Sequence, residues 1–189
     1  FWQGKGSVAA VTPNPAQSDS FAFALLQGQG WQIWLREAGQ DRQLTELASS
    51  NEPINHISWS PDGKWLAFSM FTPVKAKNPV TLPGKPEQND WAKAPVYIDT
   101  MQYRADGRGY LPAGYRQLYL MAADGGTPIQ LTSGDFDHAG AISWQPDNKG
   151  FYFSANRQSD QRTQAQNSDI YLLTLADKKL SQITDRFGP

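Results

Sequence analysis

Hydrophobic and polar residues alternate with a period of two on both sides of a short break in the segment 57–70. Ile57 and Trp59 alternate with serines before the break, and Leu66 and Phe68 alternate with small residues after it. A period of two places successive side chains on opposite faces of an extended chain. The segment is therefore predicted to form two antiparallel strands joined by a tight turn.

The break has the composition of a type I turn. Pro61 presets the φ angle of the second position, Asp62 suits the third, and Gly63 can adopt positive φ. The whole phrase recurs at 144–153, where Asn148 stands in place of the glycine. Two copies with matching turn chemistry indicate an internal repeat.

Each copy continues into two further predicted strands, and a more divergent third copy precedes them between residues 8 and 45. The third strand of each unit is an aromatic residue flanked by aliphatics, and the fourth is Gln-aliphatic-Thr. These strands are Ile33-Trp34-Leu35, Leu118-Tyr119-Leu120 and Ile170-Tyr171-Leu172, then Gln43-Leu44-Thr45, Gln130-Leu131-Thr132 and Gln182-Ile183-Thr184. Four short strands joined by polar turns and repeated along the chain are typical of β-propeller blades.

The predicted fold class is all-β, a β-propeller segment of about three four-stranded antiparallel blades. The blades span approximately residues 1–50, 51–135 and 136–189, so that 1–189 forms a partial propeller domain. The middle blade carries a long, proline-rich insertion at 72–114. Insertions of this length are usually functional or disordered.

Three blades are fewer than the roughly four to eight of a closed propeller. The sheet edges left open at each end would be free to pair with other chains. We therefore expect the remaining propeller blades to lie outside this chain. An alternative is that the open blade edges meet in an oligomer.

Composition and charge argue against nucleic acid and membrane as partners of the chain. The chain has 189 residues, of which 39% are hydrophobic and 12% aromatic, and this is enough for a packed core. The net charge is -1 without a basic stripe, so no nucleic-acid partner is predicted. No apolar run reaches the roughly 20 residues of a membrane-spanning helix, so no membrane partner is predicted either.

The absence of cysteine excludes disulfides and thiolate metal sites, and it fits the cytoplasm and the bacterial periplasm equally well. The sequence opens at Phe1 rather than at a methionine, and its first residues show neither the charged n-region nor the apolar h-region of a signal peptide. We expect that an upstream segment was removed, which favours the periplasm over the cytoplasm.

Two further groups of residues narrow the class of propeller. The first is Trp91-Ala92-Lys93-Ala94-Pro95 with Tyr103-Arg104-Ala105-Asp106-Gly107-Arg108-Gly109-Tyr110. The second is Asp124-Gly125-Gly126-Thr127-Pro128 with Gln130-Leu131-Thr132-Ser133-Gly134-Asp135-Phe136-Asp137-His138. With the repeat, they resemble the N-terminal propeller of the prolyl-oligopeptidase family of serine peptidases, in its acylaminoacyl-peptidase and dipeptidyl-peptidase-like branch. The likeness covers nearly the whole chain and is strongest from 57 to 189, whereas the first blade departs most.

The resemblance implies that the propeller caps a separate C-terminal α/β-hydrolase domain and admits oligopeptides by size. Such a domain requires a Gly-x-Ser-x-Gly nucleophile elbow, and this chain has none. We therefore assign no catalytic residue here and expect the catalytic Ser, Asp and His outside the chain. The predicted function is the non-catalytic gating and selection of peptide substrates for that hydrolase domain.

Two other functions stay open. TolB-like propellers share the Trp-x-Pro-Asp hairpins, so the chain could be a protein–protein interaction module with no peptidase partner domain. A carbohydrate-binding propeller would need exposed tryptophan pairs, but Trp34, Trp59 and Trp144 fall at repeat-matched positions that indicate blade packing. Only Trp91 and Trp31 are then free for a functional role.

The candidate substrate-binding or domain-interface residues are therefore Trp91, Arg104, Asp106, Arg108, Tyr110, Asp137 and His138. Arginine can grip a carboxylate with its planar fork, so Arg104 and Arg108 favour a polar lip that faces the hydrolase domain. The alternative is that the glycines of this segment only make turns. His138 could touch a peptide, or it could brace two blades through hydrogen bonds.

No metal or cofactor is predicted. Asp135 and Asp137 are two residues apart, which is compatible with two Ca²⁺ ligands, but further oxygen ligands are lacking nearby.

Overall fold

The computed structural model of the chain describes residues 6–28, 30–48, 52–75, 84, 96–161, 163–164 and 166–185. Fourteen β-strands and no helix are present in these residues. The strands are β1 (Ser7–Pro13), β2 (Ser20–Gln27), β3 (Gly30–Glu37), β4 (Gln40–Gln43), β5 (Asn55–Trp59), β6 (Trp65–Pro73), β7 (Arg104–Ala105), β8 (Gly109–Tyr110), β9 (Gly114–Ala122), β10 (Ile129–Gln130), β11 (Ser143–Trp144), β12 (Gly150–Ala155), β13 (Asp169–Thr174) and β14 (Leu180–Gln182).

Twelve of these strands build three four-stranded sheets. Their orders are β1-β2-β3-β4, β10-β9-β6-β5 and β11-β12-β13-β14, while β7 and β8 form a separate hairpin. Paired strands run antiparallel, as in β1–β2, β5–β6 and β11–β12. The predicted fold class is confirmed: three antiparallel blades, with a long insertion in the middle one.

The middle sheet is buried on both faces. Alternate residues of β6 and β9 point in opposite directions, because successive side chains of a strand do so. Leu66, Phe68, Tyr119 and Met121 join a core with the first sheet, which supplies Ala22, Ala24, Ile33, Leu35 and Leu44. Ala67, Leu118, Leu120 and Leu131 join a second core with the third sheet, which supplies Phe151, Phe153, Ala155, Tyr171 and Leu173. Face-to-face packing of successive sheets is the architecture of a propeller.

The tryptophan of the repeated phrase ties each blade to the one before it. The indole Nε1 of Trp59 donates to the Thr12 carbonyl at 3.1 Å, and that of Trp144 donates to the Ser58 carbonyl at 3.3 Å. Both acceptors lie on or beside the first strand of the preceding blade. The prediction that these two tryptophans pack the blades is confirmed. Trp31, which we expected to be free for a functional role, instead packs partly buried against the first core.

The predicted turn geometry is confirmed in both copies. Gly63 has φ of 69° and Asn148 has φ of 60°. A Cβ on Gly63 would also lie 2.6 Å from Asn14 Oδ1 of the first blade, so this position needs glycine for two reasons. The Ser60 hydroxyl donates to Asp62 Oδ1, and this hydrogen bond lowers the pKa of Asp62.

A threonine clamp joins the third and fourth strands of every blade. The amides of Ile33, Leu118 and Ile170 each donate to the hydroxyl of Thr45, Thr132 or Thr184, at 2.9 Å in all three blades. The same hydroxyls donate to the side-chain oxygens of Gln32, Gln117 and Asp169, respectively, at 2.7–2.9 Å. The clamp explains why the fourth strand of each unit carries threonine at the same place.

Residues 73–114, which include the hairpin β7–β8, form a compact unit of their own. The Leu111 amide donates to the Tyr103 carbonyl at 2.9 Å, and the Val74 amide donates to the Ala113 carbonyl at 3.1 Å. The first bond closes the hairpin, and the second joins the two ends of the insertion.

We expect Thr132→Val to lower the free energy of unfolding by about 2 kcal/mol, because a buried amide and a buried glutamine oxygen both lose their partner. Urea unfolding followed by far-UV circular dichroism measures this. Thr127→Val is the matched control at an exposed position, where a change within about 0.5 kcal/mol is expected. Equal losses in the two variants would contradict the clamp.

Candidate functional site

His138 lies in the chain segment between β10 and β11, and its side chain is fully buried. Its amide donates to the Arg116 carbonyl at 2.8 Å, and its ring Nδ1 lies 3.3 Å from the same oxygen. Its ring also packs against Phe153, with the two ring centroids 5.7 Å apart. His138 thus joins the third strand of the middle blade to the second strand of the last blade.

The second ring nitrogen of His138 contacts Arg157. Arg157 Nη1 lies 2.5 Å from His138 Nε2. A guanidinium can only donate, so Nε2 accepts, and the proton of the neutral ring is on Nδ1, which donates to the Arg116 carbonyl. Burial and the charge of Arg157 lower the pKa of His138 to about 4. His138 is therefore a neutral acceptor near pH 7.

Aromatic rings surround the Arg157 guanidinium. Its central carbon lies 4.7 Å from the Phe136 ring centroid and 5.9 Å from that of Tyr171. Guanidinium groups favour such faces through cation–π attraction. Burial lowers the pKa of Arg157 and raises that of Tyr171.

Asp137 has a different partner from its neighbour His138. Its Oδ1 accepts the Arg116 amide at 2.6 Å. The Arg116 side chain donates to the Pro53 carbonyl at 2.9 Å, and its Nη2 lies 3.1 Å from Glu52 Oε2. Asp137 and Arg116 therefore fix the entry of β9 against the segment before β5.

The four described candidates of the insertion come together on one hairpin. Arg104 of β7 pairs with Tyr110 of β8, while Asp106 and Arg108 lie in the turn between them. The Tyr110 ring centroid is 6.2 Å from that of Tyr103. All four candidate side chains are exposed, and Gly107 and Gly109 adopt the positive φ angles that the turn requires. Trp91 lies outside the described residues.

This geometry can bind polar or aromatic groups at the hairpin, whereas at His138 it holds two blades together. The role of these residues in substrate binding or in a domain interface stays a prediction. Within the described ranges, no three His, Cys, Asp or Glu side chains are grouped closely enough to hold a metal ion. The same part of the chain has no helix that is long and apolar enough to cross a membrane.

Sequence reasoning missed Arg157, Arg116 and Glu52. Arg157 lies two residues after β12, the second strand of the last blade, and its place close to the end of a repeated strand was the available signal. Its partner His138 is 19 residues away, and Glu52 is 64 residues from Arg116. Only strand pairing brings such distant residues into contact.

The fold defines the class of protein: an all-β propeller segment built from three successive blades. A family model described as the dipeptidyl peptidase IV (DPP IV) N-terminal region matches residues 93–189, just over half of the chain. The chain belongs to this family.

A curated relative is also a peptidase. The chain is 28% identical over 150 residues to the uncharacterized peptidase YuxL of Bacillus subtilis (strain 168). The match covers 78% of this chain and 21% of YuxL, so the chain spans about a fifth of the length of that relative.

Two solved structures share the fold. An acylaminoacyl peptidase from Pyrococcus horikoshii superposes with a TM-score of 0.61 at 14% identity, covering 94% of this chain and 25% of that one. A TolB from Agrobacterium tumefaciens superposes with a TM-score of 0.52 at 19% identity, covering 97% and 48%. The chain is thus a propeller segment related to peptidases by its family, and it shares its fold with TolB.

We expect the stability of the chain to fall as the pH decreases from about 6.5 to about 4. The folded state holds His138 neutral while the unfolded chain takes up the proton, so the free energy of unfolding loses roughly 3 kcal/mol across this window. His138→Gln cannot titrate, and its unfolding free energy should lack this component. The comparison uses urea unfolding at several pH values, and parallel pH profiles of the two proteins would contradict it.

Proposed function

We propose that the chain is the non-catalytic propeller portion of a serine peptidase that acts on oligopeptides, and that it gates and selects substrates for a hydrolase domain outside the chain. The observation that carries this proposal is the family match over residues 93–189 together with the likeness to the peptidase YuxL. The family match includes the hairpin, the Asp137-His138 segment and the last blade.

The chemistry of the chain supports a non-catalytic role. Its sequence lacks a Gly-x-Ser-x-Gly elbow, and one of its two histidines, His138, is buried with both ring nitrogens engaged. A general base must reach the proton that it removes, and its pKa is best near the working pH. His138 meets neither condition, so we assign the nucleophile and its base to the proposed hydrolase domain outside the chain.

The hairpin supports substrate selection. Arg104 is exposed on β7 and pairs with Tyr110 of β8, whose exposed ring lies 6.2 Å from that of Tyr103. Such a surface can hold a peptide by a charge-assisted hydrogen bond and by ring contacts. We assign this surface to contact with the peptide or with the hydrolase domain.

The exposed apolar residues on the outer face of the last blade favour the presence of a further blade outside the chain. Ile170 and Ile183 correspond in the repeat to Leu118 and Leu131 of the middle blade. The leucines are 0% and 9% exposed under the third sheet, whereas the isoleucines are 44% and 53% exposed. Apolar residues at these positions pack against a following blade, so we infer that another blade covers this face, or else a second copy of the chain.

A TolB-like interaction module is the second candidate function. The TolB structure covers 97% of the chain with a TM-score of 0.52, and so the blades alone do not separate the two functions. In this alternative an open face of the propeller binds other proteins, and the polypeptide has no peptidase domain.

A serine-directed fluorophosphonate probe separates the candidates. We expect the probe to label the full-length parent protein, which should also cleave oligopeptides in preference to folded proteins. The 189-residue chain alone should be neither labelled nor active. A parent protein without a reactive serine would overturn the peptidase function in favour of the TolB-like module.

Substitution on the hairpin should alter the cleavage of peptides by the parent peptidase. We expect Arg104→Gln to raise KM for oligopeptides by about tenfold with kcat nearly unchanged, because a uniform binding contact is lost. Lys64→Gln removes the same charge at an exposed turn of the middle blade and serves as the control. Unchanged KM in Arg104→Gln would argue against the hairpin as a substrate contact.

Ile170→Asn and Ile183→Asn should destabilise the parent protein much more than the 189-residue chain. In the 189-residue chain these side chains face solvent, so the free energy of unfolding should change by less than about 0.5 kcal/mol each. In the parent protein the same change should cost about 2 kcal/mol or more, because it places polar groups in a blade interface. Thermal unfolding of both proteins measures this, and equal shifts would contradict an additional blade on this face.

A further inference from the structure

Arg157 stands apart from the other half-buried arginines that the structure describes. Arg36 pairs with both carboxylate oxygens of Asp41, at 2.5 and 2.6 Å. Arg116 pairs with Glu52 at 3.1 Å. Within the described ranges no carboxylate pairs with Arg157, whose hydrogen-bond partner there is the neutral ring of His138.

The Arg157 guanidinium is held by one hydrogen bond and two ring contacts, and only one of its three nitrogens has a hydrogen-bond acceptor among the residues that the structure describes. Nη1 donates to His138, while the central carbon of the guanidinium lies over the rings of Phe136 and Tyr171. In the described part of the chain, neither Nε nor Nη2 has a hydrogen-bond acceptor. These two nitrogens form the side edge of the fork, which matches the two oxygens of a carboxylate.

We propose that the Nε–Nη2 edge of Arg157 is a carboxylate-binding site. The contacts with the two aromatic rings and with His138 hold the guanidinium in place, so that little side-chain freedom is lost when the ligand binds. Partial removal from water strengthens the attraction to an anion, and an anion in turn compensates the burial of the charge. The neutral state of His138 matters here because the ring fixes Arg157 without adding a second charge.

The carboxylate can come from the C-terminus of a peptide or from an Asp or Glu side chain. Asp137, the nearest acidic neighbour along the chain to His138, is engaged with the Arg116 amide. Asp169 lies on β13 beside Tyr171, but its oxygens accept from Thr184, Gln158 and Gln182. The site concerns ligand binding to this chain and does not depend on the proposed peptidase function.

NMR titration of the 189-residue chain with three peptides tests the site. The probes are acetyl-Ala-Ala-Ala with a free carboxylate, the same peptide as its amide, and acetyl-Ala-Asp-Ala amide. We expect the free acid to shift the Arg157 Nε–H signal and to bind at least about tenfold more tightly than the amide, since only the acid can form the bidentate pair. If the Asp peptide binds as tightly as the free acid, any carboxylate suffices; if it does not, the site takes a chain end.

Arg157→Lys keeps the charge but not the fork, and it should lose about tenfold in affinity for the free acid. Lys179→Gln is the control, because Lys179 is exposed in the turn at the opposite end of the same blade. A second readout needs no substitution: the bound acid should raise the pKa of His138, because an anion beside Arg157 favours protonation of the ring, whereas the amide should leave it unchanged. Equal binding of acid and amide, or no binding of either, would overturn the proposal.

Discussion

The burial of the middle sheet on both of its faces is the constraint on which the rest of the structure depends. Alternate residues of β6 and β9 enter two separate cores, so a shift of either strand by one residue would exchange the two sets. Phe68 would then meet the third sheet in place of Ala67, where large rings such as Phe151 and Phe153 already fill the space. The repeat therefore fixes strand register as well as strand number.

Polar contacts refine this packing at the two ends of each blade. At one end the repeated turn contacts its neighbour, since the Asp62 amide donates to Asn148 Oδ1 of the next blade at 3.1 Å. At the other end Arg116, Asp137, His138 and Arg157 join two blades. The threonine clamps satisfy backbone amides that the short fourth strands leave without a strand partner. The last blade keeps the clamp with Asp169 where the others have glutamine, and Gln158 and Gln182 supply the donors that a carboxylate needs.

His138 and Arg157 both hold the blades together and form part of a candidate binding site. His138 is neutral because burial and Arg157 disfavour its charged form, and this neutrality lets Arg157 hold its charge in a partly buried place. The β7–β8 hairpin of the insertion differs from this buried pair, because its aromatic and charged side chains are exposed. We thus expect function at the insertion, which interrupts the repeat, and at Arg157, at the polar end of the blades. The repeated residues themselves maintain the architecture.

The sequence by itself determined the fold class, because the period of two, the turn residues around Gly63 and Asn148, and the Gln-aliphatic-Thr phrase are local signals that act through a few neighbouring residues. It also placed Trp59 and Trp144 in the blade packing, since their positions repeat. The tertiary structure alone decided the partners of His138, Arg116 and Arg157. These contacts join residues that are far apart in the chain, and they depend on which strands become neighbours, on how deeply each charge is buried and on which acceptor remains within reach. No local pattern in the sequence carries that information.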